Sequence, residues 1–205
     1  MDYAAIGLLD YGRPGNYFER QIKRWSGQYE ASCTKGVPAM EHLIEWLPKH
    51  VPADDSLSSI IHGDYSFHNL LIHPVVPRVV AVLDWELSTI GHPLGDLLYH
   101  CMEWYRPPGI DDRGTLSGAD LDAPGVPTLE DYVARYSEWT GFRIEAEDMG
   151  FYGAFNLFRA AAILQGMAGR IRDGIVTARN AKQIVERLEP LADAAWAAAQ
   201  KAGAS

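Results

Sequence analysis

The sequence predicts a mainly α-helical fold with one small β-hairpin, an α+β class, and three observations predict it. Apolar residues recur at three- and four-residue spacing through long stretches at both ends of the chain, as in Phe18, Ile22, Trp25 and Tyr29. One segment alone carries strand-like runs, Leu70-Leu71-Ile72 and Val79-Val80-Ala81-Val82-Leu83, about a turn at His73-Pro74-Val75-Val76-Pro77-Arg78. With 205 residues, 47% hydrophobic and 22% charged, the chain can bury a core of one domain or two.

Taken in order, an irregular start runs through Pro14-Gly15. Asn16 is then placed to cap a helix to about Ser32. Met40 to Leu47 form a second helix closed by Pro48, and Pro52 to Ser59 form a polar linker. The hairpin follows, then a helix from Leu94 to about Trp104. Arg106 to Pro127, rich in Gly and Pro, is a loop. Three more helices are predicted: Leu129 to Thr140, Ala146 to Ile171, and Thr177 to Lys201 with Pro190 bending or interrupting it. Phe151, Phe155, Phe158 and Ala162 mark the core stripe of the middle one.

Charge and composition exclude several function classes. The net charge is −9 and the 18 Lys and Arg form no long cluster, which argues against a nucleic-acid surface. Cys33 and Cys101 are too few for a disulfide framework and suit a reducing compartment. No run approaches the ~18 apolar residues of a membrane span, and the start has no basic, then apolar, leader. A cytoplasmic protein with no membrane partner is expected.

The chemistry is concentrated in IIHGDYSFHNLLIHPVVPRVVAVLDWE, Ile60 to Glu86. Asn69 precedes the first strand and Asp84 follows the second, symmetrically about Val76 and Pro77. They are therefore expected opposite each other at the hairpin's open end, with Cα atoms roughly 5 Å apart. An amide oxygen and a carboxylate held that way are hard ligands suited to Mg²⁺. Asp64, five residues before Asn69, can turn back into the same end. Asp and Asn taken singly are ordinary turn formers, but the three together at this spacing make a site. His62, Asp64 and His68, with His73, also offer N and O ligands for zinc or iron, although His73 lies about 10 Å away at the far turn.

His62-Gly63-Asp64, four residues, then Asn69 has the spacing of the protein-kinase catalytic loop H-R-D-x-x-x-x-N, with Asp84-Trp85-Glu86 in the place of D-F-G. Gly63, Trp85 and Glu86 depart from protein kinases. Together with G-x-P-x-x-D at Gly91 to Asp96, the pattern resembles the aminoglycoside phosphotransferase (choline-kinase-like) family of small-molecule kinases. NYFERQIKRWSGQYEAS, PAMEHLIEWLP and AVLDWELSTIGHPLGDLLYHC resemble, within it, the kinase-like domain that some relatives carry fused to an acyl-CoA dehydrogenase.

The resemblance implies a protein-kinase-like C-terminal lobe that transfers the γ-phosphoryl of ATP or GTP to the hydroxyl of a small molecule. Asp64 would accept or orient the hydroxyl proton, and Asn69 and Asp84 would hold Mg²⁺. His62 would pack beneath the catalytic loop, Asp96 would hydrogen-bond its backbone, and Glu86 would reach the metal through water. Trp104 and Arg106, just before the Gly/Pro-rich loop, are candidate lining for the acceptor, while Asp111, Asp112, Asp120 and Asp122 read as a solvated face. Arg159 needs a partner, either a structural carboxylate or an anionic group of the substrate. The fused-dehydrogenase branch suggests a hydroxyacyl-CoA above an aminoglycoside as acceptor.

Kinases of this kind also use an N-terminal lobe with a phosphate-covering loop and a phosphate-pairing lysine. The 205 residues contain no G-x-G-x-x-G or G-x-x-x-x-G-K-[ST]. They are therefore expected to form a single C-terminal catalytic lobe with an exposed lobe interface, a candidate surface for homodimerisation. A non-catalytic fragment serving as an association module is the alternative, and a metallohydrolase a more distant one.

Overall fold

The computed structural model describes residues 2–33, 35–53, 57–110, 114–122, 125–145, 148–175 and 181–204. They divide into two units, Met1–Arg20 with Ala53–Cys101, and Gln21–Pro52 with Met102–Ser205. Helix α1, Tyr17–Ser32, contributes its first turn to one unit and the remainder to the other. Phe18, Ile22, Trp25 and Tyr29, which repeat at helical spacing, are all buried. Asn16 precedes this helix at φ 48°, a left-handed residue rather than the extended backbone of a side-chain cap.

In the first unit, β1 (Ser59–Ile61) pairs antiparallel with β4 (Thr89–Gly91), and β2 (Leu70–Ile72) with β3 (Val79–Val82). The second pair is the predicted hairpin. The first pair was not legible, because strands of three residues show no usable alternation. Helix α3, Leu94–His100, follows β4 directly. Phe18, Ile61, Ile90, Leu94, Leu97 and Leu98 form this unit's core. Gly91 admits the approach of its neighbours: a Cβ there would lie 2.5 Å from Ile61 Cδ1 and 2.8 Å from the Tyr17 ring.

The hairpin register differs from the symmetric one expected. Leu70 pairs with Val82 and Leu71 with Ala81, but Ile72 pairs with Val79, so Val80 is an extra residue in β3. The pairing at the turn end, Ile72 with Val79, lies two positions from the symmetric register, and the bulge recovers one of them. Asn69 faces Leu83, whose N–H donates to the Asn69 carbonyl at 2.8 Å, and Asp84 lies one residue further on.

In the second unit, α2 (Pro38–Trp46) ends in a 3-10 turn, Leu47–Lys49, and α4 (Met102–Tyr105) is separated from α3 at Cys101. Helix α5, Leu129–Thr140, matches the expected span, with the Thr128 hydroxyl accepting from Asp131 N–H at 3.1 Å and Gly141 closing it at φ 77°. Helix α6, Met149–Arg172, packs against α8, Leu188–Lys201, along a close seam where a Cβ on Gly150 would lie 2.5 Å from Ala202 Cβ. Phe151, Phe155, Phe158 and Ala162 are buried in this packing. The expected starts at Ala146 and Thr177 lie outside the described residues, as do Asp111 and Asp112. The expected last helix is two helices, α7 (Ala181–Glu186) and α8. Pro190 sits in the first turn of α8, where its missing N–H leaves no intrahelical bond unmade.

Both cysteines are free; Cys33 is partly exposed and Cys101 is buried, with burial pushing its thiol up to about 12. Native protein is therefore expected to label at one thiol, Cys33, and denatured protein at two, a count that a thiol-reactive dye measures directly. The buried neutral thiol also stabilises the fold fully below roughly pH 8.5, where the unfolded thiol begins to ionise, and this contribution is lost as pH rises towards 12.

Candidate active site

Gly63 is the first geometric requirement of the H-G-D stretch. It adopts φ 82°, and a Cβ would stand 2.4 Å from the Leu87 carbonyl oxygen, so only glycine passes. Its N–H donates to Asp96 Oδ1 at 2.8 Å, and the His62 N–H donates to Asp96 Oδ2 at 2.5 Å. Asp96, in the first turn of α3, thus holds two consecutive amides through charge-assisted bonds.

His62 is buried and uses both ring nitrogens. Its Nδ1 accepts from the Asp64 N–H at 3.2 Å, which places the ring proton on Nε2, and Nε2 donates to the Leu83 carbonyl at 2.8 Å. One neutral imidazole therefore ties the backbone at Asp64 to the residue preceding Asp84. The transition-metal reading fails at this point, because His62 has no nitrogen left to ligate. His73 is also engaged: its Nδ1 accepts from the Val75 and Val76 amides at 3.1 and 3.2 Å within the hairpin turn. Among the described residues no group of three or more His, Cys, Asp or Glu is arranged to hold a metal.

The loop returns to Asp64 through a 3-10 turn, Phe67–Asn69, with the Phe67 ring 4.4 Å from that of buried His100. The Asn69 amide nitrogen donates to the Asp64 carbonyl at 2.9 Å and to its Oδ2 at 3.1 Å. That commitment leaves the amide's Oδ1 as its uncommitted acceptor. Tyr65, beside Asp64, has its hydroxyl pushed up by burial and then by the charge of Asp96.

Asp84 sits at φ 68°, ψ 51° and leads into a second 3-10 turn, Trp85–Leu87. Trp85 Nε1–H donates to the Val82 carbonyl at 2.9 Å, and its ring lies 4.7 Å from that of His62. Glu86 and His68 are exposed. The first unit thus brings together His62, Asp64, Asn69, Asp84 and Asp96. The Asn69 amide oxygen and the carboxylates of Asp64 and Asp84 are hard ligands of the kind that suit Mg²⁺, an ion that keeps several waters and relies on substrate phosphates for further ligands. In that arrangement Asn69 and Asp84 would hold it.

Trp104, Arg106 and Arg159 belong to the second unit. Trp104 Nε1–H donates to the Pro127 carbonyl at 3.0 Å, with its ring 5.0 Å from Tyr132. Buried Arg106 pairs with Glu103 at 2.9 Å and bonds the Gly114 carbonyl, anchoring the Gly/Pro-rich loop. Buried Arg159 lies over the Trp25 ring at 5.6 Å, an aromatic neighbour that sequence reasoning did not foresee. Sequence reasoning missed Trp85 and the Leu83 carbonyl; the only available signal was the departure of D-W-E from D-F-G.

Comparison with known proteins agrees with this geometry. Residues 1–137 match the phosphotransferase enzyme family. Acyl-CoA dehydrogenase family member 10 of mouse is 39% identical over 203 residues, covering 99% of this chain and 19% of that protein. Acyl-CoA dehydrogenase family member 11 of chicken is 35% identical over 196 residues, covering 94% of this chain and 25% of that protein. A crystal structure from Ralstonia eutropha, assigned as an aminoglycoside phosphotransferase, superposes with a TM-score of 0.91 at 50% identity, over 98% of this chain and 60% of that one. The chain thus spans a fifth to a quarter of these curated relatives and 60% of the solved neighbour. No helix among the described residues is long and apolar enough to cross a membrane. Held together by the H-G-D loop, Asn69 and the D-W-E turn, with a relative of known structure at half identity over almost its entire length, the chain belongs to the phosphotransferase enzyme family and has its kinase-like α+β fold.

Proposed function

We propose that these residues are the C-terminal catalytic lobe of a Mg²⁺-dependent small-molecule kinase that moves the γ-phosphoryl of ATP or GTP to a hydroxyl. The observation that carries this is the Asp64–Asn69 pair, bonded through the Asn69 amide and set beside the turn that presents Asp84. Asp64 orients the acceptor hydroxyl and takes its proton as the oxygen bonds to the γ-phosphorus and the bond to the bridging oxygen breaks, releasing ADP or GDP. Bound magnesium neutralises charge on the phosphates. Asn69 and Asp84 would supply its protein oxygens, and Glu86, which is exposed, would reach it through water. His62 and Asp96 keep the loop in register, as their bonds to Asp64, Gly63 and Leu83 describe. Trp104, Arg106 and Arg159 remain candidates for the acceptor side, with Arg106 acting through the loop it anchors. The two free thiols fit a reducing, cytoplasmic setting.

For the acceptor we favour a hydroxylated acyl compound such as a hydroxyacyl-CoA, because the relatives at 39% and 35% identity are acyl-CoA dehydrogenase family members. The test is a screen of the full-length protein for ATP consumption against hydroxyacyl-CoAs, aminoglycosides and amino-alcohols. Turnover is expected with hydroxyacyl-CoAs, and turnover confined to aminoglycosides would overturn the assignment. A second reading, association, is favoured by the hairpin, whose Leu71, Ile72, Val75, Val79 and Val80 are all about half exposed or more. These residues offer an apolar surface to a nucleotide-binding lobe or to a second copy of the chain. The same preparations weighed in solution, with these 205 residues compared against the full-length protein, separate the readings. The shorter chain is expected to associate and to turn over orders of magnitude more slowly.

A further inference from the structure

Asp84 is one of two non-glycine residues at positive φ among the described residues, and its own side chain makes no capping bond to the turn it leads. Asp and Asn usually tolerate this left-handed conformation by bonding locally through the side chain. Here the carboxylate is left uncommitted and the backbone is held from outside. On the upstream side, Trp85 Nε1–H holds the Val82 carbonyl at 2.9 Å and His62 Nε2–H holds the Leu83 carbonyl at 2.8 Å. The two rings that make these bonds lie 4.7 Å apart. On the downstream side, the Trp85 carbonyl accepts from the Ser88 hydroxyl at 2.6 Å and from the Ser88 N–H at 3.0 Å, and the Tyr11 hydroxyl bonds Ser88 Oγ in turn.

Trp85 itself is 50% exposed, so hydrophobic burial does not explain a tryptophan at this position. Its bonds do. We infer that Trp85 is a positioning residue that clamps Asp84 in the left-handed conformation and so aims its carboxylate at the metal position beside Asn69 Oδ1. This rests on the reading of Asp84 as a Mg²⁺ ligand. Without the indole N–H the Val82–Leu83 peptide keeps only its Leu83 N–H bond to the Asn69 carbonyl at 2.8 Å, so the hold on the following residue loosens and Asp84 relaxes toward ordinary right-handed or extended backbone, which swings the carboxylate away.

The test uses full-length protein, a non-hydrolysable ATP analogue and Mn²⁺ as a paramagnetic substitute for Mg²⁺, with free Mn²⁺ followed by electron paramagnetic resonance. Trp85→Phe keeps a ring beside His62 while removing the N–H together with part of the indole. It is expected to weaken Mn²⁺ binding about three- to tenfold, the worth of one hydrogen bond. It should also raise the apparent Mg²⁺ requirement for turnover by a similar factor, with kcat at saturating Mg²⁺ falling far less. Excess metal rescues a misaimed ligand and does not rescue a misfolded one. Asp84→Asn serves as the control and is expected to weaken Mn²⁺ binding more than Trp85→Phe does. If Asp84→Asn leaves Mn²⁺ binding unchanged, the metal reading of Asp84 fails, and the clamp with it. If Asp84→Asn weakens binding while Trp85→Phe stays within twofold of the parent, the clamp is overturned and the metal reading stands. A Trp85→Phe protein that loses melting temperature and kcat together at unchanged Mn²⁺ affinity also overturns it, since the tryptophan would then be structural only.

Discussion

Under the proposed phosphoryl transfer, replacing Asp64 by asparagine is expected to lower kcat by at least two orders of magnitude with little change in KM for ATP. A positioned general base contributes about 10²- to 10⁴-fold. Phosphoryl transfer through a loose transition state draws on proton removal late, so the lower end of that range is the expectation. Asparagine is the informative substitution because its side-chain oxygen can still accept from the Asn69 amide, the bond now made at 3.1 Å to Asp64 Oδ2. The loop is retained and the charge is lost. Alanine would remove both and confuse the two effects. Steady-state kinetics at saturating Mg²⁺ decide the matter: kcat within about threefold of the parent would mean that Asp64 is not the group that handles the acceptor proton.

Gly63→Ala should give the largest loss of stability for the smallest change in composition. Placing a Cβ at φ 82° costs about 1–2 kcal/mol in backbone strain, and driving it to 2.4 Å from the Leu87 carbonyl adds about 1–3 kcal/mol of overpacking. Against the roughly 5–15 kcal/mol by which domains are stable, that is a large fraction. At about 2–4 °C per kcal/mol for a chain of this size, the melting temperature should drop by roughly 5–15 °C. Gly109→Ala is the internal control, since Gly109 has φ 77° and nothing within 4 Å of its Cβ position. It should show the strain without the collision, so the difference between the two variants isolates the contact with Leu87. Equal melting temperatures for the two would contradict the close approach of the catalytic loop to the turn after Asp84.

Much of this arrangement could be read from the chain before any coordinates. The hairpin strands, the span of α5 and the buried stripes of α1 and α6 follow from periods of two and 3.6 residues, which are local properties. Asp64, Asn69 and Asp84 stood out through spacing, and His62 and Asp96 through the family resemblance; the structure joins His62, Asp64, Asn69 and Asp96 by hydrogen bonds. What failed was whatever depends on one residue more or less, or on partners distant in sequence. The strands leave the turn with Ile72 opposite Val79, a register that would set Asn69 against Val82, and the bulge at Val80 moves it to Leu83, one residue short of Asp84; no local pattern announces either in an all-apolar strand. The β1–β4 pair joins Ser59–Ile61 to Thr89–Gly91 across the 27 residues from His62 to Ser88, from three-residue strands. Arg106 was expected to line the acceptor site, and Arg159 to meet a carboxylate or a substrate anion. Their partners, Glu103 with the Gly114 carbonyl and the face of Trp25, are supplied by packing that sequence alone does not reveal.

The left-handed backbone at residue 84 limits which amino acids evolution can place there. Conformation alone admits glycine, asparagine and aspartate at little strain, and disfavours every branched or bulky side chain. The proposed role applies a separate chemical filter, because a metal held against a triphosphate would call for an anionic oxygen on a short tether. Glycine offers no ligand, asparagine no charge, and glutamate a longer arm on a backbone it seldom adopts. The two filters intersect on one residue type, so the codon for Asp84 is constrained twice over by independent causes. A drifting copy of this gene that had lost its enzymatic role would be free to admit asparagine or glycine at this position first.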